Sequence, residues 1–150
     1  MNTSRFTAIV YAFGAVAGMS AVGLEAFAAH GLAHGTPDGD HAVAMFRQAT
    51  QFQMDHALAL ILIAAIADRL SASPARCILR AAAGLMMAAI ILFPGALYAS
   101  AFSLPHFFAP WGGTAALIGW LLFAVGALLT LRTPPPPAGA SATALRRAAE

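Results

Sequence analysis

The sequence predicts an all-α integral membrane protein, a four-helix bundle with both termini cytoplasmic and a disordered Pro-rich C-terminal tail. Three observations carry that reading. The 150 residues are 60% hydrophobic and only 9% charged, with a mean hydropathy of +0.76. That is too few charges to cover a water-soluble domain of this size. Four apolar blocks each reach the ~20 helical residues that cross a bilayer, and all but one of the arginines gather on one side of them. Helices are required, because hydrocarbon offers no partner to an unpaired backbone amide.

The first span is expected at about 6–29, just after Arg5. Arg5, the apolar run and "AFA" before Ala29 imitate a secretory signal. The run from Phe6 to Leu24 nevertheless exceeds the ~7–15 residues of a signal's apolar region, so the span is expected to be retained. "GTPDGD" at 35–40 is a turn. Asp40 is placed to cap a helix opening at His41, with Val43, Phe46 and Ala49 on one interfacial face and the membrane part at 52–70. Ser71-Ala72-Ser73-Pro74 ends it. A third span follows at 78–101, with Pro94 expected to kink it. The connection "SAFSLPHFFAPWGG" carries no charge, and its Phe102, Phe107, Phe108 and Trp111 suit an aromatic belt. The fourth span covers 113–131. The domain thus runs 1–132, and the tail 133–150 opens on "TPPPP", which cannot continue a helix.

Orientation follows from the arginines. Arg5, Arg69, Arg76, Arg80, Arg132, Arg146 and Arg147 all fall on one side, and Arg47 alone on the other. The positive-inside rule places the larger group in the cytoplasm, which predicts the bacterial inner membrane. Small residues mark the expected helix contacts: Gly14, Gly18 and Ala21 on the first span, Gly84, Ala88 and Gly95 on the third, and Gly112, Gly119 and Gly126 on the fourth.

A polar cluster stands out against this background. Glu25 lies ~28 Å along the first span, near the edge of a ~30 Å core. The second helix returns from that edge, so Glu25, His30, Gln53, Asp55 and His56 are expected at similar depth, at the outer mouth. Glu25 shares the small-residue face, and His56 shares a face with Gln53, Leu60 and Ala64. Such groups either fix helix register by hydrogen bonding or handle protons or cations. His30-x-x-x-His34 has a spacing that can hold a metal, yet Gly31 and Gly35 end the helix there, so no metal is assigned.

Other classes are excluded. The chain has no lysine and no basic stripe, so nucleic acid is not a partner despite a pI near 9.3. The lone Cys77 forms no metal motif. No GxSxG, phosphate loop or HExxH is present, so neither enzyme activity nor a cofactor is expected.

"EAFAAHGL" (25–32), "FQMDHALALI" (52–61), "ILFPGALY" (91–98) and "APWGGTAALIGW" (109–120) resemble, in order, motifs of the domain-of-unknown-function 423 family, the YgdD-like small inner-membrane proteins. By that resemblance Ala26, Phe27, His30, Gly31, Gln53, Met54 and His56 occupy motif positions. Glu25, Ala28, Asp55 and Pro94 depart from a pattern of glycine, glycine, tyrosine and serine. The family carries no activity to transfer. The expected role is therefore structural or accessory, acting through lipid, a membrane-protein partner or a homo-oligomer. A small transporter or channel subunit is the alternative, and a metal-binding membrane protein a more distant one.

Overall fold

The computed structural model describes residues 4–131; the expected tail, with Arg132, Arg146 and Arg147, lies outside them. Four helices follow one another: α1 (Arg5–His30), α2 (Pro37–Arg69), α3 (Pro74–Ala101) and α4 (Ala109–Thr130). All four are long and apolar enough to cross a membrane. Two connections, 31–36 and 102–108, lie at one end of the bundle, here the loop end. The short 70–73 connection lies at the other, the hairpin end.

Local sequence sets the helix starts. Ser4 caps α1 by accepting from the Thr7 amide at 3.2 Å, and Ser73 caps α3 by accepting from Arg76 at 3.3 Å. Pro74 follows at the first helical position, where its missing N–H and fixed φ do no harm. α2 begins four residues before the expected His41. Thr36 is its cap, accepting from the Gly39 amide at 3.2 Å, and Pro37 occupies the first turn. Asp40, the expected cap, reaches back instead to the Gly35 amide at 3.0 Å. Gly35 has φ +79°, a left-handed conformation that favours glycine. α3 runs unbroken through Pro94, which is buried.

The helices pack in series. α1 lies on α2, α2 on α3 and α3 on α4, with a light touch between α1 and α3 and no comparable interface between α1 and α4. The bundle is therefore open along its α1/α4 side. Val10, Leu60, Ile63, Leu79 and Met86, all fully buried, fill the middle. Large apolar side chains on the outer helices point away from it, among them Val16 and Met19 on α1 and Leu117 and Leu121 on α4. In a membrane such faces meet lipid at no cost.

Glycines set the closest approach. Gly112, Gly119 and Gly126 of α4 sit against Phe93, Met86 and Leu79 of α3. Both series step by seven residues in opposite directions, the seam of an antiparallel left-handed pair. On α1, Gly14 receives Ile61, and a side chain added at Gly18 would lie 3.8 Å from the Met54 sulfur; Ala21 is buried. Gly84 and Gly95 differ from the expected stripe, because nothing lies within 4 Å of a side chain placed there. They face outward, and Ala88 is only partly covered. Spacing alone does not say which side of a helix meets its neighbour.

Candidate functional site

The polar side chains of the spans sort into three levels. At the hairpin end, the Thr7 hydroxyl donates to Asp68 at 3.1 Å, and the Arg80 guanidinium lies 4.3 Å from the centre of the Phe6 ring. These contacts fix α1 against α2 and α3 where the charged residues gather.

Gln53 forms the second level. It is buried, and both donors and the oxygen of its amide are directed at neighbours. Its Nε2 donates to the Ala17 carbonyl and to Ser20 Oγ, both at 2.8 Å, while its Oε1 accepts from the Tyr98 hydroxyl at 3.1 Å. The carbonyl of Ala17 can only accept, which fixes the orientation of the amide. One side chain thus ties α1, α2 and α3 together. Ser20 Oγ donates in turn to the carbonyls of its own helix, Val16 at 2.9 Å and Ala17 at 3.1 Å.

His56, one turn further from the loop end, joins α2 to α4. Its Nδ1 lies 2.8 Å from the Phe52 carbonyl, and Trp120 Nε1 lies 3.2 Å from its Nε2. An indole N–H only donates, so Nε2 accepts and Nδ1 carries the proton. The ring also stacks on Phe52 at 3.8 Å, and Phe52 meets Phe93 at 4.5 Å. His30, by contrast, is exposed at the last residue of α1 and makes no bond to His56.

Glu25 sits nearer the loop end. It accepts from the Thr50 hydroxyl at 2.5 Å and lies 3.8 Å from Arg47 Nε. The common depth expected for the cluster is therefore not what the fold gives. Thr50 marks the level of Glu25 on α2, so His56, six residues on, lies about 9 Å deeper. Asp55 is exposed on the outer face of α2, in register with Leu58 and Leu62, and makes no hydrogen bond or ion pair with the described residues. His34 Nε2 lies 3.2 Å from the Ala29 carbonyl. Among the described residues no three His, Cys, Asp or Glu side chains come together as a metal site would need.

Above Gln53 the bundle is closed by rings. Phe46 contacts Phe27, Tyr98 and Phe102 at centroid distances of 5.6, 4.9 and 5.8 Å. Phe46 is buried, as are Val43 and Ala49, so the face expected at the interface packs inside the bundle. α1 extends past this level, so the first turns of α2 have a neighbour to pack on.

The family model for a protein of unknown function (DUF423) matches residues 24–113. Curated relatives match over most of their length. The UPF0382 membrane protein YwdK of Bacillus subtilis is 37% identical over 118 residues, 77% of this chain and 92% of that one. UPF0382 membrane proteins of Haemophilus influenzae, at 36%, and Staphylococcus aureus, at 35%, each align over 75% of this chain and 87% and 88% of their own. The chain belongs to this family. No solved structure matches it.

The DUF423 motif positions read from the sequence acquire roles in the fold. Phe27 packs on Phe46, and a side chain at Gly31 would collide with the Phe27 ring. Met54 packs near Gly18, and Gln53 and His56 make the inter-helix bonds. Their partners Ser20, Tyr98, Trp120 and Phe46, and Thr50 beside Glu25, were not singled out from the sequence as site residues. Tyr98 and Trp120 lie within two of the quoted motifs, so their presence was visible, but their pairing was not. This DUF423 member is a multi-pass membrane protein whose biochemical role, like that of its relatives, is unknown.

Proposed function

We propose that this chain is an accessory protein of the bacterial inner membrane, without catalytic activity of its own, that acts by binding lipid and membrane-protein partners rather than by passing a solute. The observation that carries this reading is the dry middle of the bundle. Val10, Leu60, Ile63, Leu79 and Met86 separate the Thr7–Asp68 level from the Gln53 level. Every buried side-chain nitrogen and oxygen among the described residues has a hydrogen-bond partner, so none is left over to line a path. Ion or proton passage needs such groups or water in sequence.

Reconstitution tests it. Proteoliposomes are expected to leak protons and monovalent cations no faster than empty vesicles, and conduction removed by His56→Ala would overturn the reading.

The same proposal puts both termini and the hairpin end in the cytoplasm, supported by the arginine asymmetry. Cys77 is exposed near the hairpin end and is the chain's single cysteine. A membrane-impermeant maleimide is expected to label it only after the cells are permeabilised. Labelling of intact spheroplasts would reverse the orientation.

A further inference from the structure

Between α1 and α2, toward the loop end, runs an open groove of about 640 Å³. Its wall is apolar, from Ala21 and Met54 at the deep end to Ala26 and Ala29 at the shallow end. Measured along the helices from Arg5 and Arg69, the deep end lies about 23 Å in and the shallow end beyond 30 Å. The groove therefore crosses from hydrocarbon into the headgroup layer of a ~30 Å core.

Two opposite charges stand where that boundary falls. Glu25 and Arg47 both line the groove, and their side chains are 49% and 60% exposed. They do not satisfy each other. Their closest approach, Arg47 Nε to Glu25 Oε1, is 3.8 Å, longer than a hydrogen bond. Thr50 occupies Glu25 Oε2, which leaves Oε1 free to accept. The terminal nitrogens of Arg47 make no bond within the described residues, and their fork geometry suits a phosphate.

From this we infer that the α1–α2 groove binds a phospholipid with a primary-amine headgroup, of the phosphatidylethanolamine class. One acyl chain lies along the alanines and Met54, the phosphodiester meets Arg47, and the ammonium donates to Glu25 Oε1. A quaternary ammonium has no N–H to donate, and an anionic glycerol headgroup brings no cation to Glu25. A second copy of the chain carries the same two charges at this height, and it is told apart from lipid by mass: a dimer that retains no lipid would overturn the inference. The inference deepens the accessory reading above and rests on it, by naming the lipid that one face of the protein selects.

Native mass spectrometry of the full chain in mild detergent tests it, with phosphatidylethanolamine, phosphatidylcholine and phosphatidylglycerol added singly and in equal mixture. The expected result is preferential retention of phosphatidylethanolamine by about threefold to fivefold, the scale of an exposed ion pair. Glu25→Gln should abolish the preference, and Arg47→Gln should lower retention of all three lipids. Ala26→Trp, on an exposed position, fills the groove without touching either charge and should remove retention altogether. Equal retention of the three lipids by the native chain, or selectivity unchanged in Glu25→Gln, would overturn the inference. Ion leakage in the reconstitution assay would overturn the accessory reading and leave lipid selectivity as a separate result, so the two can fail independently.

Discussion

A methyl group added to Gly112 of α4 would come within 2.5 Å of the Phe93 amide nitrogen on α3. The obstacle is backbone, which cannot swing aside as a side chain can. Gly112→Ala should therefore force α3 and α4 apart and cost about 1–3 kcal/mol, the usual penalty of overpacking. Gly84→Ala is the control, since its added methyl meets nothing, and should leave stability unchanged or raise it by up to about 1 kcal/mol, as an Ala in place of a mid-helix Gly does. Thermal unfolding of both variants in the same detergent checks the pair. Equal losses would mean that the α3–α4 seam is not where the structure puts it.

Gln53 binds three helices through one amide, so its loss should exceed that of any one partner. Inter-helix hydrogen bonds in membranes average ~0.6 kcal/mol, which gives about 1–2 kcal/mol for Gln53→Leu and about 0.5 kcal/mol for Tyr98→Phe. A double-mutant cycle should return a coupling clearly above zero. Strict additivity would show that the 3.1 Å contact contributes nothing.

The ring of His56 makes a spectroscopic prediction. With Trp120 donating to Nε2, nitrogen NMR should find Nδ1 protonated and Nε2 bare. Trp120→Phe should lower stability by about 0.5–1 kcal/mol, since the N–H is lost while most of the packing stays. Observation of the Nε2–H tautomer in the native protein would contradict the geometry.

Asp55 lies on the outer side of α2 in register with Leu58 and Leu62, without a partner among the described residues. A carboxylate facing lipid is a burden that shrinks toward the interface. Asp55→Leu should accordingly stabilise the isolated chain by about 1 kcal/mol, read from detergent unfolding. A decrease instead would reveal a contact that the carboxylate makes only in the intact membrane.

How much of this could be read from the residues differs by level. Apolar block length and the arginine pattern determine the four helices, because lipid leaves the backbone no other structure. Helix starts were harder. Asp40 and Thr36 are both good caps, and Pro37 at the first helical position decided between them. The small-residue stripes show the limit of periodicity: Gly112, Gly119 and Gly126 turn inward, while Gly84 and Gly95 turn outward with the same kind of spacing. For the polar cluster, counting along one helix cannot supply the offset between two. That offset is set by contacts such as Ile61 in the notch of Gly14 and Thr7 on Asp68. It put His56 beside Trp120 instead of beside His30.

The serial packing of the helices bears on how the protein is made. Each helix docks on the one synthesised immediately before it, so most of the packing can form between successive segments without waiting for a distant mate. The bond from Trp120 to His56 spans 64 residues and skips α3. It can close only when α4 has arrived, which makes it the natural marker of a finished molecule.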